Sequence, residues 1–223
     1  METENEESAL AADVTAVPPV PNAIDALQRD VQRKLGRCML RLQQYEKMMK
    51  VLAANFELAG PAEQLLDIQK KREAAFATQT LGGLVTALSG SYLSPHPADE
   101  TTESECGPPD NRQIWFRMDA RIPLSPEEHE RVVSALRDLV ALRNRLVHHF
   151  IEMFDIWSME GCLAGDAFLE ESYTQIDLRC MEARGWLLAL DEGRKEWRRS
   201  CQATPGPIGS STASSRMAPW TGG

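Results

Sequence analysis

Apolar residues recur along the first part of the chain at alternating steps of four and three: Val31, Leu35, Cys38, Leu42, Tyr45, Met49, Leu52 and Phe56. A heptad seam kept for more than three repeats predicts one long helix, capped at Asn22, that needs a neighbour along its whole length. Gly60-Pro61 supplies a stop and a restart. Beyond it Leu65, Ile68, Phe76, Leu84, Leu88 and Tyr92 keep a helical period that folds back antiparallel, completing a long N-terminal helical hairpin. Gly82-Gly83 weakens this second arm by about 1 kcal/mol per glycine relative to alanine, and marks a bend or a close helix crossing.

The run SPHPADETTESECGPPD, Ser94 to Asp110, is proline-rich, acidic and polar, and predicts an exposed loop over about 94–112. Residues Trp115 to Ile122 alternate weakly and read as an extended segment that packs Trp115 and Phe116 on a bundle without joining a sheet. Ser125-Pro126-Glu127-Glu128 is a capping box with proline at the first helical position, so a third helix starts near residue 126. Phe154 to Ser158 forms a corner, and Ser158 caps a fourth helix carrying Leu163, Ala167, Tyr173, Ile176, Cys180, Leu187 and Leu190. The fold class is therefore all-α, a four-helix up-down bundle. Met39, Met48, Met49, Met153 and Met181 fall in or near apolar stripes and read as gap-filling core residues.

The ends differ in composition. Residues 1–21 read as a disordered acidic leader, 22–199 as the helical domain and 200–223 as a disordered tail rich in glycine, proline, serine and threonine. With 223 residues and 43% hydrophobic content the chain can bury a real core. A net charge of -9 and a pI of about 5.0 argue against gripping long nucleic acid by overall charge, but leave room for a small catalytic cleft. Cys38, Cys106, Cys162, Cys180 and Cys201 have no close pairing, which predicts neither a metal site nor a disulfide framework, and no cofactor. The N-terminus has no export signature and no run reaches membrane-spanning length, so the expected home is a reducing cytoplasm, with no membrane partner. Arg194, Lys195, Arg198 and Arg199 suit the dipole at the end of the last helix.

Candidate chemistry lies in Arg143-Asn144-Arg145-Leu146-Val147-His148-His149-Phe150, which puts a cation, a carboxamide and an imidazole on a helix that must bury one face. At about 100° per residue, Val132, Leu136, Leu139, Val140, Leu146, Val147 and Phe150 fall within roughly 60° of Arg143, which sets Arg143 mid-stripe on the core-facing side. A guanidinium buried without a partner costs several kcal/mol, so something must answer it. Asn144 and His148 lie one turn apart at the edge of the stripe, so that Arg143, Asn144 and His148 line one cleft. A bland reading answers Arg143 with an ion pair to Asp155, Asp177 or Glu182 and leaves His148 as an ordinary histidine at the helix edge.

Arg143, the polar Asn144 and His148, with four residues between arginine and histidine, resemble the signature of the HEPN superfamily. That resemblance implies an all-helical fold, a homodimer with two motifs facing each other, RNA as substrate and cleavage without a metal. Arg143 and His148 would be catalytic and Asn144 in support, in a setting of defence, stress response or a mobile element, with a protein partner or antitoxin. Some toxin members carry a tyrosine two residues after the histidine; Phe150 stands there, so regulation through that hydroxyl is not expected.

A second resemblance covers roughly residues 22–195. The blocks GRCMLRLQQYEKMMKVL, TLGGLVTALSGSYL and ALRNRLVHHFIEMFDIWSMEGC look like the helical N-terminal region of bacterial OST-HTH, or LOTUS, domain proteins, in which a winged-helix RNA-binding domain follows. No sequence resembling that domain follows here, which implies a truncated or diverged copy with any activity in the bundle itself. Two functions are thus expected from different classes: a metal-independent endoribonuclease, or a noncatalytic helical dimerisation and interaction module. A helical adaptor that binds through the heptad seam of the first helix is a third, and requires Leu42, Met49 and Phe56 to be exposed.

Overall fold

The structure is a computed structural model that describes residues 23–94 and 115–203. The acidic leader with its Asn22 cap, nearly all of the 94–112 loop and the tail beyond Ala203 lie outside the described residues.

The described chain is mostly helical, and two long helices form its spine: α1, Ala23–Asn55, and the C-terminal helix, Met159–Ala203. The seam read from the sequence is buried on α1, at Val31, Cys38, Leu42, Tyr45, Met49 and Leu52, and the adaptor reading loses its requirement because Leu42, Met49 and Phe56 are all covered. The opposing seam uses Cys162, Gly165, Leu169, Ser172, Ile176, Cys180 and Ala183. Small residues there let the two backbones approach closely. Leu163 and Ala167, expected inside, are exposed, because the small positions carry the three-and-four spacing and the larger ones stand off it.

These two helices run parallel, since contact partners rise together in number. Gln28 donates to the carbonyl of Ile156 at 3.0 Å, Lys34 to Asp166 at 2.8 Å, Arg41 Nε to Asp177 at 2.8 Å and Arg194 to Asn55 Oδ1 at 2.8 Å. An up-down order would set the first and last helices antiparallel, so the observed arrangement departs from it. A parallel pair needs a long return connection, which the intervening elements supply.

The expected second arm is two helices, α2, Leu65–Ala77, and α3, Leu81–Ser91. Thr80 caps α3 by accepting from the Gly83 amide at 3.4 Å, which places Gly82-Gly83 in a first turn instead of at a mid-helix bend. The antiparallel hairpin survives locally: Lys50 on α1 reaches the carbonyl of Ala77, while Arg72 on α2 reaches those of Ala54 and Ala53. Core burial comes from α3, through Leu81, Leu84, Val85 and Leu88; α2 buries no residue.

Gly60-Pro61 does not restart a helix. Strand β1, Glu57–Pro61, pairs antiparallel with β3, Trp115–Asp119, setting Leu58 opposite Met118, and the short β2, Leu93–Ser94, pairs in parallel with β4, Ile122–Pro123. The segment expected to be extended but unpaired therefore joins a ladder. Its partner lies far away in sequence, and only the end of α1 brings the two together. A Cβ on Gly60 would run into the Ile68 side chain, so the strand exit needs glycine.

Helix α4, Pro126–Asn144, opens on the expected capping box, with Ser125 Oγ accepting from the Glu128 amide at 3.2 Å and Glu128 Oε2 accepting from the Ser125 amide at 3.0 Å. It lies antiparallel to α3, with His129 at the carbonyl of Ser89 and Val140 beside Gly82. A short helix α5, Phe150–Met153, leads into the corner. The final helix, now α6, starts with Ser158 Oγ accepting from the Gly161 amide at 3.0 Å, and runs to Ala203, past the boundary expected at residue 199. Of the five methionines assigned to the core, Met49 is buried, whereas Met153 and Met181 are exposed.

Candidate functional site

The motif helix changes its winding at the motif. Helix α4 ends at Asn144, and Arg145–His149 forms a single π-helical turn before α5. A π turn closes on the fifth residue and accommodates one residue more than an α turn; such turns inside helices are rare and concentrate at functional sites. In this chain Leu142, Leu146 and Phe150, at successive steps of four, are all buried. The wider turn keeps Phe150 aimed at the core, where its ring lies 5.2 Å from Phe154 and 6.4 Å from Phe168. That aromatic cluster anchors the inner side of the turn.

On the outer side the extra residue has a chemical consequence. In a regular α-helix residues five apart point about 140° away from each other at 100° per residue. Here Arg143 Nη1 lies 3.3 Å from His148 Nε2, and the same nitrogen donates to Asn144 Oδ1 at 3.2 Å. The three residues singled out from the sequence are brought together with Arg143 as the hub. Asn144 meets His148 through the guanidinium, where sequence spacing had paired them directly.

Arg143 is not mid-stripe. It is half-buried at the flank of the helix, while Asn144 and His148 are exposed. The buried residues Val133, Leu136, Leu139 and Leu142 advance by threes, and each such step turns the buried face by roughly 60°. By residue 143 the core-facing side has rotated past the arginine, which a single averaged wheel conceals. The ion-pair expectation fails with it. Asp177 holds Arg41, Glu182 holds Arg179 and Asp155 Oδ1 accepts from the Trp157 amide. Among the described residues no carboxylate lies within ion-pair distance of Arg143.

A guanidinium has donors only, so its approach to Nε2 requires a lone pair there: a neutral imidazole with its proton on Nδ1. The neighbouring His149 turns away and meets Glu152 at 2.9 Å, and the Arg145 guanidinium sits 5.5 Å from the Phe168 ring. The arrangement thus offers solvent a proton acceptor beside a permanent cation that can bind a phosphate oxygen. Among the described residues no group of three or more His, Cys, Asp or Glu side chains is placed to hold a metal ion, and no helix is long and apolar enough to cross a membrane.

The π turn is the feature that sequence reasoning missed. Its one signal was the burial-competent series Leu142, Leu146 and Phe150 at steps of four, which drifts off a regular α-helical face. Comparison of the chain with protein-family models, curated proteins and solved structures found no match.

Proposed function

We propose that the protein is a HEPN-like, metal-independent endoribonuclease that acts as a homodimer in defence, stress response or a mobile element. The observation that carries this reading is the 3.3 Å contact between Arg143 and His148, made by a π turn on an accessible surface. A merely structural arginine gains nothing from that turn, whereas a phosphate-cleaving pair needs both groups on one side.

In the proposed reaction the RNA 2'-oxygen attacks the adjacent phosphorus, the bond from phosphorus to the 5'-oxygen breaks, and a 2',3'-cyclic phosphate and a 5'-hydroxyl result. His148 takes the 2'-hydroxyl proton through Nε2 once the guanidinium turns to the phosphate. Arg143 stabilises the charge growing on the non-bridging oxygens, and Asn144 holds the guanidinium in position. One histidine cannot both accept that proton and protonate the leaving oxygen in the same step. A second copy supplies the missing imidazolium, which is why the reading includes a dimer.

A second reading is a noncatalytic dimerisation and interaction module derived from a LOTUS-type RNA-binding protein. It is favoured by exposed apolar side chains in the same stretch of chain, Ile151 at 70% and Trp157 at 73%, since apolar surface left in water beside polar groups is characteristic of an interface.

The deciding experiment is RNA cleavage by the purified protein in the presence of chelator, wild type against His148→Ala. Cleavage that disappears in the variant supports the ribonuclease and places its site on this turn. Equal or absent cleavage in both leaves the interaction module.

A further inference from the structure

The outward face of α1 carries a second arrangement of cations, unrelated to the motif. Arg29, Arg33, Arg37 and Arg41 stand four residues apart, a step of roughly 6 Å at 1.5 Å per residue, in a chain whose net charge is -9. Between this stripe and Tyr173 of α6 lies a shallow groove of about 560 Å³. Its floor is Gly36, where an added Cβ would meet nothing within 4 Å. Leu40, 62% exposed, lies along it, with Gln32 and Gln44 at either end.

The four arginines are held differently. Arg33 pairs with Asp30 and Arg41 with Asp177, while Arg29 Nε donates to the carbonyl of Asp25. The Arg37 guanidinium lies 3.6 Å from the centre of the Tyr173 ring, and no carboxylate among the described residues is within ion-pair distance of it. Glu170, the acid of α6 nearest this point in sequence, is engaged by Lys34. An exposed pair such as Arg33 with Asp30 contributes little and exchanges readily for a phosphate.

We propose that this groove binds single-stranded RNA, with the Arg37 guanidinium on Tyr173 as the platform on which a base stacks and with Arg29, Arg33 and Arg41 as phosphate contacts. The inference rests on the RNA part of the function proposed above, and adds to it a strand-binding surface away from the motif. Bases stack on guanidinium planes as well as on aromatic rings, and amides at the groove ends can reach their edges. An acidic peptide would use the charge alone and leave the platform, the glutamines and Leu40 without a role.

The test is fluorescence anisotropy of a labelled oligouridylate with the full chain carrying His148→Ala, so that the strand is not cut, and with circular dichroism to follow the helices of each variant. Adding Arg33→Ala with Arg37→Ala is expected to weaken binding about tenfold or more and to flatten the salt dependence by about 1.4 in log-log slope, near 0.7 per lost phosphate contact. Arg37→Lys keeps the charge and loses the plane, so affinity falls while the slope stays. Parental binding by the double variant overturns the proposal, as does displacement of the RNA by polyglutamate at equal charge concentration, which would make the groove a site for acidic peptides. Binding that depends on Arg33 and Arg37 in a chain whose wild type never cleaves sustains the groove and removes only the ribonuclease. Cleavage of long RNA at parental efficiency by the groove variants in the His148 background of the wild type does the reverse.

Discussion

Arg194 of α6 closes the C-terminal end of α1 by donating through Nη2 to Asn55 twice, to the side-chain oxygen at 2.8 Å and to the main-chain carbonyl at 3.2 Å. Arg72 does the same for the carbonyls of Ala53 and Ala54. The last carbonyls of a helix have no partner within it and lie at the negative end of its dipole, so two cations from separate elements complete α1. Half-burial holds the Arg194 guanidinium below its ordinary pKa, with Arg198 adding to the effect, yet the group stays cationic at any ordinary pH. Arg194→Ala should lower stability by about 1–3 kcal/mol, the range for hydrogen bonds to charged groups, in urea unfolding. An unchanged midpoint would mean that the end of α1 is frayed in solution.

Two glycines of α6 should respond with opposite sign. A Cβ at Gly161 would collide with the backbone of Asp155 in the corner, whereas one at Gly185 would meet nothing within 4 Å. Gly161→Ala is expected to cost about 1–3 kcal/mol, because backbone cannot give way as a side chain can. Gly185→Ala should stabilise by about 0.4–1 kcal/mol through the unfolded chain. Thermal melts of the two variants beside wild type decide it; shifts in one direction would mean that the corner is looser than described.

Arg143→Ala should leave the fold intact, within about 0.5 kcal/mol of wild type as for surface changes away from special features, because the guanidinium is half-exposed and pairs with no described carboxylate. Cleavage, under the proposed function, should vanish. Wholesale unfolding of this variant would restore the structural ion pair as the explanation of the motif.

The capping box of α4 gives the chain an acid-sensitive point. Backbone and side-chain hydrogen bonds from Ser125 hold Glu128 below the model carboxyl value of 4.5. A group whose native pKa is depressed contributes stability that is full above its unfolded pKa and is lost as pH falls through the native one. Stability should therefore drop as pH falls below 4.5, and Glu128→Gln should flatten that part of the profile. Superimposable profiles for wild type and variant would show that the box is not closed in solution.

Burial pushes the Cys38 thiol up to about 11 and raises that of Cys180 as well. Together with Cys162 these thiols are buried and free, and the nucleophile in alkylation is the thiolate. At pH 8 they should resist iodoacetamide in the native protein and react fully in denaturant, as read by peptide mass mapping. For Cys38 the stability contribution is full below pH 9.0 and declines as pH rises toward 11. Rapid native labelling of Cys38 would contradict the packing of α1 on α6.

What was legible in the sequence is what depends on neighbours a few residues away. The seam from Val31 to Phe56, the capping box at Ser125 and the serine cap at Ser158 are local patterns, and each is found where it was read. The candidate trio was legible as residue types. Its geometry was not, because Arg143 meets His148 only through a π turn that the burial of Phe150 among distant rings maintains.

By itself the sequence determined the helical character of the chain, where its main helices begin, which face of α1 is buried and which polar residues stand together near residue 143. Tertiary structure decided that α6 covers the seam in parallel, that the segment after Asn55 pairs as a strand with Trp115–Asp119, and that Arg143 faces solvent instead of the core. The division has one physical cause. Helical hydrogen bonds and caps close within about four residues and are written in local spacing, whereas strand partners, helix direction and the rotation of a buried face are set by contacts between residues far apart in the chain.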